Sequence, residues 1–203
     1  LTTGAAINVS SASSDNSTRN LVSITNDHAS ADNAVGLYIK QDGADASIEL
    51  AGNGGIKFPS TQGASSDANT LDDYEEGAFD IAVSMGSGSA TVNSSFNECK
   101  YTKIGRLVTI TGEANINAIS SPSGSMVMTG LPFTSAASLS EGSDRMRTAG
   151  MQLNAFTSGD DGAAVIILSD NSTSFSVKTF DNTDPVPDSS CEFGFSFSYI
   201  SAT

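Results

Sequence analysis

Few side chains in this sequence could catalyse a reaction or hold a cofactor. The single histidine, His28, lies in the turn-like stretch 26–30, and no cysteine is near it in the sequence. A zinc site would need several His or Cys ligands, and a serine hydrolase would need a nucleophile elbow. Neither pattern occurs, and the glycine motifs that bind nucleotides are missing as well. We therefore interpret His28 as a solvated turn residue and expect no cofactor.

Paired carboxylates are the remaining catalytic candidates. They cluster at Asp72-Asp73, at Glu75-Glu76 and at Asp160-Asp161. Two carboxyl groups on either side of a glycosidic bond are sufficient for glycan hydrolysis. The same clusters are typical of solvated loops, and we favour that interpretation. The chain is therefore predicted not to be an enzyme, with glycan hydrolysis kept as the minor alternative.

Oxygen ligands for calcium are clustered in two acidic turns. One is Asp42-Gly43-Ala44-Asp45 and the other is Asp160-Asp161. Neither matches the twelve-residue loop of an EF-hand. We favour solvated turns over a calcium site and predict no bound metal.

The two cysteines, Cys99 and Cys191, each stand at the start of a predicted strand. Cysteines in such positions are most often small, buried apolar residues, and we interpret both in this way. A disulfide between them is the alternative, because their spacing neither requires nor forbids a bond.

Composition restricts the partners that the chain can bind. Its 203 residues are enough for one domain or two small ones. A net charge of −14 opposes nucleic-acid binding, which rests on Lys and Arg contacts with phosphates. Anionic membrane surfaces are disfavoured for the same reason, and no stretch approaches the roughly 20 apolar residues of a membrane span. We therefore expect neither a nucleic-acid partner nor membrane insertion.

Short apolar runs separated by Gly, Asn, Asp and Ser predict an all-β protein. In residues 1–59 these runs include Ile39, Ile48 and Ile56 at loosely repeated spacing. A segment this small cannot bury enough apolar surface alone, whereas three intertwined copies could. We predict a homotrimeric β shaft over residues 1–59 with these isoleucines in its core. A surface meander packed on the later domain is the alternative.

The remainder of the chain is predicted to form a linker and a second domain. Residues 60–78 are polar and acidic, and we interpret them as a linker or collar. For residues 79–203, called the knob below, we predict one antiparallel β-sandwich similar to a jelly roll. Its predicted strands are 79–84, 90–96, 100–104, 107–116, 125–129, 150–155, 163–169, 174–179 and 191–200.

Several stretches of the sequence resemble the fibre proteins of tailed bacteriophages. They are residues 36–43, 55–62, 66–77, 101–108, 130–133 and 193–201. The first is similar to a unit of a fibre shaft, the next two to the junction that follows it, and the others to a C-terminal knob. The run 71–77 is the most specific, although Ala78 stands where these proteins usually have Thr.

The resemblance implies a structural protein of the virion, with a tail fibre that attaches the phage to its host as the leading interpretation. The implied partners are further copies of the chain, a host-surface glycan or protein, and other phage structural proteins. We expect that last contact to be made through additional sequence before Leu1. The alternative is a fibre or decoration protein on the capsid surface.

Receptor contacts are expected in the loops of the knob, because binding residues concentrate in loops. Loop 135–148 is the first candidate because it contains Arg145 and Arg147. Two bases in so acidic a chain could pair with an anionic glycan. Loops 157–162 and 181–190 are further candidates. An ordinary flexible loop, with the arginines paired to nearby carboxylates, is the alternative.

Overall fold

A computed structural model shows the protein to be all-β, as predicted. It describes residues 7, 9–12, 21–25, 37–40, 48, 50, 56–58, 71, 73–137, 145–156 and 161–202. These residues contain eight strands and no helix, so none of them belongs to a helix that could cross a membrane. The chain divides into two compact units, Leu1–Ile56 and Lys57–Thr203.

All eight strands belong to the second unit. They are β1 (Tyr74–Asp80), β2 (Ala82–Val92), β3 (Glu98–Ile104), β4 (Leu107–Thr129), β5 (Arg145–Asn154), β6 (Gly162–Ser169), β7 (Ser174–Thr179) and β8 (Glu192–Ile200). In the first unit the described residues lie outside any strand. In the single chain, therefore, the described residues of the runs predicted there as strands have no ladder partner.

Five strands close into a barrel. The order is β4, β7, β6, β5 and β8, and β8 pairs again with β4. The two pairings on β4 use different parts of it, since β8 pairs from Leu107 and β7 pairs with Met126–Thr129. The sequence predicted a sandwich, whereas these pairings make one sheet closed on itself. Closure gives each barrel strand a hydrogen-bonded neighbour on both sides. The barrel therefore has no edge strand with unpaired backbone N–H and C=O groups.

Strands β2 and β4 form a ribbon that is sharply bent. A straight strand as long as β2 would span roughly 35 Å. Instead, Ile81 N donates to Asn97 O at 3.0 Å and Asn93 N donates to Asn115 O at 2.9 Å, so both ends of β2 lie beside the 93–97 turn. The bend occurs where the register shifts on either side of Ser87. Positive φ angles mark it at Gly88 (68°), Ser121 (43°) and Gly124 (71°).

This ribbon explains where the predicted strands differ from the structure. Residues 117–124 separate the two predicted strands 107–116 and 125–129, but bulges absorb the irregular part and β4 is continuous. The predicted strand 79–84 is instead the end of β1 and the start of β2. Strand β1 already begins at Tyr74, inside the range predicted as linker.

Aromatic side chains on the inward face of β8 fill the barrel. Phe193, Phe195, Phe197 and Tyr199 are buried at alternate positions, as the period of a half-buried strand requires. The ring of Phe175 on β7 meets Phe195 and Phe197 edge-on, with centroids 5.7 and 5.2 Å apart. Edge-to-face contacts of this kind add to the free energy gained by burial alone.

Cys99 and Cys191 are both buried in this core as free thiols. The interpretation of the cysteines as small apolar core residues is therefore confirmed, and the alternative disulfide is not formed. Burial raises the pKa of each thiol to about 11. Both thiols are consequently neutral at physiological pH.

Candidate binding surface

The outward face of β1, β3, β4 and β8 changes character from one end to the other. Directly opposite residues in antiparallel strands point to the same face of a sheet. At one end, four such residues form a row, here called the apolar row, made of Tyr74, Ile104, Leu107 and Ile200. Each of them is between 40% and 48% exposed.

Small hydroxyl side chains cover the middle of the same face. The row next to the apolar row contains Thr102, Thr109 and Ser198 in register. Thr109 Oγ1 and Ser198 Oγ are hydrogen-bonded at 2.8 Å. Glu76 is the one acid in this row, and its carboxylate accepts a hydrogen bond from the Tyr74 hydroxyl.

Carboxylates collect at the opposite end, here called the acidic end. Asp80 stands directly opposite Glu98, an arrangement of like charges that is unfavourable by itself. Lys100 relieves it by forming an ion pair with Glu98. Glu113 on β4 and Glu192 on β8 complete the acidic end and point outward.

Two adjoining clefts lie at the acidic end and share Glu113 and Glu192. The first, of about 540 Å³, runs between β5 and β8 and is also lined by Gln152 and Asn154. Its floor includes Gly194, where a Cβ would meet only the Gly112 carbonyl oxygen at 3.9 Å. The lack of a side chain there keeps the cleft open.

The second cleft, of about 600 Å³, adds an aromatic ring to these acids. Phe96 lines it and is 60% exposed. Asn115 also lines it, and its Oδ1 is buried without a hydrogen-bond partner among the described residues. The described residues that line the two clefts include no Lys or Arg.

This arrangement suits reversible binding of a ligand rich in hydroxyl or ammonium groups. Carboxylates accept hydrogen bonds from such groups, and an exposed aromatic ring offers a face on which a sugar ring can stack. Glu113 and Glu192 are diagonal neighbours across β4 and β8, because Glu113 stands opposite Gly194 and Glu192 stands opposite Asn115. The backbones of diagonal neighbours are about 7–8 Å apart, so both carboxylates can reach into one cleft, as the pair of carboxyl groups in a glycosidase must.

Sequence reasoning did not identify the residues of these clefts. Glu113 and Asn115 alternate with buried Ala114 and Ile116, and Glu192 precedes the buried aromatic positions of β8. Such alternation marks them as outward-facing but does not distinguish them from ordinary solvated positions. Two outward glycines, Gly150 and Gly194, are the only sequence signal that could have pointed to a groove.

Arg145 and Arg147 belong to strand β5 and not to a loop, so their predicted location is wrong. They stand opposite Ser169 and Ile167 of β6 and are exposed on the outward face. Met146 between them packs against the core, which is the alternation expected of a strand. Residues 138–144 of the predicted loop lie outside the described residues. Receptor binding by the two arginines stays a prediction.

Ile39, Ile48 and Ile56 are 44%, 62% and 69% exposed in the single chain. Their predicted packing at the axis of a trimer involves other copies and stays a prediction.

Asp73 and Glu75, one from each of the first two predicted carboxylate clusters, have structural roles. Asp73, interpreted from the sequence as solvated, is in fact buried and forms an ion pair of 2.5 Å with buried Lys103. The Lys103 ammonium also lies 5.3 Å from the centroid of the Phe133 ring. Glu75 accepts a hydrogen bond from the Tyr101 hydroxyl, and burial together with this bond raises the pKa of Tyr101 to about 12. These contacts join the start of β1 to β3.

The other acidic candidates give no site among the described residues. Asp161 Oδ1 accepts a hydrogen bond from Phe156 N at 2.6 Å and so links the end of β5 to the start of β6. Asp72, Asp160, Asp42–Asp45 and His28 lie outside the described residues. In the described part of the chain, no three His, Cys, Asp or Glu side chains are grouped so that they could hold a metal ion.

Comparison with known proteins gives a distant structural likeness. No protein-family model matches the chain, and no curated protein matches its sequence. Among solved structures, it is similar to the crystal structure of the Dettilon tailspike protein, at 20% identity and a TM-score of 0.41. The match covers 63% of this chain and 24% of the other, so the chain spans only 24% of that protein's length. A likeness at this level identifies neither a family nor an activity.

Proposed function

We propose that this chain is a non-enzymatic structural protein of a bacteriophage virion, a homotrimeric fibre that attaches the phage to its host surface. A fibre or decoration protein of the capsid surface is the second candidate. The observation that carries the proposal is the exposure of apolar side chains in the first unit. Its described apolar residues are all exposed, namely Ile7, Val9, Leu21, Val22, Ile24, Leu37, Tyr38, Ile39, Ile48, Leu50 and Ile56.

So many exposed apolar side chains favour assembly with further copies. Monomeric soluble proteins rarely expose large contiguous apolar patches, and small units without a core of their own commonly gain one by oligomerising. A shaft formed by three chains would bury these side chains. It would also supply ladder partners for the described residues of the first unit, which lie outside any strand in the single chain. Both needs are met by a single arrangement, the intertwined trimer.

The second unit supports a binding role. Asp73, Glu75 and Asp161 are engaged in structural contacts, and both thiols are buried. The outward face instead offers two shallow polar clefts and two exposed arginines. We propose that these surfaces contact a host glycan or protein while the first unit holds the copies together.

Glycan hydrolysis remains a minor candidate because Glu113 and Glu192 are diagonal neighbours in a cleft. Release of reducing sugar ends from host-surface glycan distinguishes it from attachment. Wild-type protein that binds glycan without releasing reducing ends supports attachment alone. Release that is abolished in Glu113→Gln or Glu192→Gln would instead establish hydrolysis.

Oligomeric state gives the first test of the proposal. Equilibrium sedimentation at micromolar concentration should give three times the mass of the chain. Ile48→Ala should weaken the trimer strongly, since one substitution removes three buried side chains at about 2–5 kcal/mol each. Ile39→Ala and Ile56→Ala should behave similarly. Lys40→Ala, beside Ile39 in the sequence, is the matched control and should cost under about 0.5 kcal/mol.

A monomeric wild-type protein would contradict the fibre proposal. Equal effects at Ile48 and Lys40 would contradict the axial core alone. Immunogold labelling of intact particles then decides between tail and capsid, since label at the tail tip supports host attachment and label on the head supports decoration.

A further inference from the structure

We infer that the apolar row is the surface through which the barrel of one copy contacts the barrel of a neighbouring copy. The inference rests on the proposed trimer and adds a second contact to the one predicted in the shaft. Its occupant is another copy of this chain.

The row is a continuous surface on a rigid support. Its four members come from four hydrogen-bonded strands and stand directly opposite one another, so no polar residue interrupts them. The sequence neighbours of the row residues, such as Lys103, Val108 and Tyr199, point to the inward face and are buried. These packed neighbours fix the backbone from which each exposed side chain of the row projects.

The apolar surface continues beyond the four strands. The ring of Phe58 lies 6.4 Å from that of Tyr74, centroid to centroid. Leu71, just before β1, is exposed as well. The apolar surface of the second unit thus continues from the apolar row onto Phe58.

Charge indicates which end of the sheet face a second copy can approach. Each copy carries −14, and the acidic end would bring Asp80, Glu113 and Glu192 of two copies together. Like charges brought together across an interface cost several kcal/mol and exclude that arrangement. Near the apolar row the exposed charges are of opposite sign. Arg106 stands at the β3–β4 turn, where its Nε donates to Ser201 O at 2.9 Å, and Glu76 in the neighbouring row accepts a hydrogen bond from the Tyr74 hydroxyl. Acidic copies can therefore meet at this end with less repulsion than at the acidic end.

The size of the row explains why the shaft is also required. A stable interface buries about 800 Å² on each partner, more than four half-exposed side chains can supply. The row therefore strengthens and orients a trimer that the first unit also holds. Loss of the row should weaken assembly without changing the fold of the barrel.

The test places a charge in the middle of the row of the full chain. Leu107→Glu should raise the dissociation constant of the trimer at least about tenfold by equilibrium sedimentation, because three carboxylates would meet in the interface. Thr111→Glu is the matched control, since it lies on the same strand and outward face but beyond the row. It should sediment as wild type. Circular dichroism melting reports whether each variant folds. Leu107→Thr, which introduces a polar, β-branched side chain that suits a strand, replaces Leu107→Glu if that variant does not fold.

Protection from labelling gives an independent measurement. The native cysteines are buried, so maleimide should react with Leu107→Cys or Thr111→Cys selectively. We expect Leu107→Cys to be protected in the trimer and reactive on dilution to monomer, whereas Thr111→Cys should react in both. A trimeric wild type with unchanged assembly of Leu107→Glu and free labelling of Leu107→Cys would overturn the inference and leave the fibre proposal standing. A monomeric wild type would overturn both.

Discussion

The buried pair of Asp73 and Lys103 is the residue-level feature that the sequence least suggested. Each side chain is at most 5% exposed, so each is costly to bury without the other. Removing one partner of a buried ion pair typically costs about 3–5 kcal/mol, because the other charge is left uncompensated. The pair thus holds the start of β1 against β3 only while both members are present.

We predict that Lys103→Met lowers the free energy of unfolding by about 3–5 kcal/mol in urea denaturation. Adding Asp73→Asn should restore part of that loss, since the uncompensated charge is then removed. Lys100→Met is the control, because its pair with Glu98 is 62% exposed on both sides and should cost under about 1 kcal/mol. Equal losses for Lys100→Met and Lys103→Met would argue against an important buried pair.

The buried thiols predict a loss of stability at alkaline pH. Burial raises the pKa of Cys99 and Cys191 from 9.0 to about 11, so the unfolded chain ionises first as pH rises. Their contribution is complete below about pH 9 and decreases as pH rises towards 11. We expect the urea midpoint to fall over this window, and Cys99→Ala with Cys191→Ala to make the fall shallower. Rapid reaction of the native protein with a thiol reagent at pH 8 would contradict the burial of these groups.

At the scale of elements, local pattern predicted the strands but not their closure. The predicted strands 163–169, 174–179 and 191–200 agree closely with β6, β7 and β8. Alternation of buried residues identifies such strands because it depends on neighbours in sequence alone. Barrel closure depends on which distant strands pair, as with Leu107 and Ile200, and no local pattern carries that information.

The clefts were missed for a related reason. Gln152 and Glu192 are ordinary polar residues in sequence and gain significance only because β5 and β8 are neighbours. Asp73 was misread because its partner Lys103 is thirty residues away, on another strand. The arginines were misplaced because the Ser- and Gly-rich run before them extends the apparent loop into β5.

The bent ribbon of β2 and β4 yields a prediction at this scale. Gly88 has a φ of 68°, and a Cβ there would lie 2.1 Å from the Ser121 carbonyl oxygen. Gly88→Ala should therefore destabilise the second unit by more than about 2 kcal/mol in urea denaturation, through backbone strain and steric overlap. Gly194→Ala is the control, since a Cβ there meets only one atom, at 3.9 Å. A Gly88→Ala protein as stable as wild type would show that the ribbon is not bent in this way.

At the scale of the whole molecule, the surfaces proposed for assembly and for binding occupy opposite ends of one sheet face. In the proposed trimer the apolar row lies between copies, whereas the acidic end stays exposed because like charges keep the copies apart there. A trimer built in this way presents three acidic clefts outward. Attachment and assembly can then be changed independently, which makes each testable without disturbing the other.

Host binding is the last prediction, and it separates two candidate surfaces of opposite charge. Isolated trimer should bind host cells and compete with phage adsorption. If an anionic glycan is the receptor, Arg145→Ala with Arg147→Ala should reduce binding, whereas Glu113→Gln with Glu192→Gln should not. If the receptor carries ammonium groups, Glu113→Gln with Glu192→Gln should reduce binding, whereas Arg145→Ala with Arg147→Ala should not. Three sites acting together amplify either loss well beyond that of a single site.

The four substituted residues, Glu113, Arg145, Arg147 and Glu192, are all exposed on strands. Neither double variant should therefore change the melting temperature appreciably. A trimer that neither binds host cells nor slows adsorption would reject the attachment role and favour capsid decoration. Host binding that is unchanged in both double variants would support the attachment role but exclude both surfaces as the receptor-binding site. The receptor contact would then have to lie in the remaining loops of the barrel, of which 181–190 is the first to substitute because the structure describes it fully.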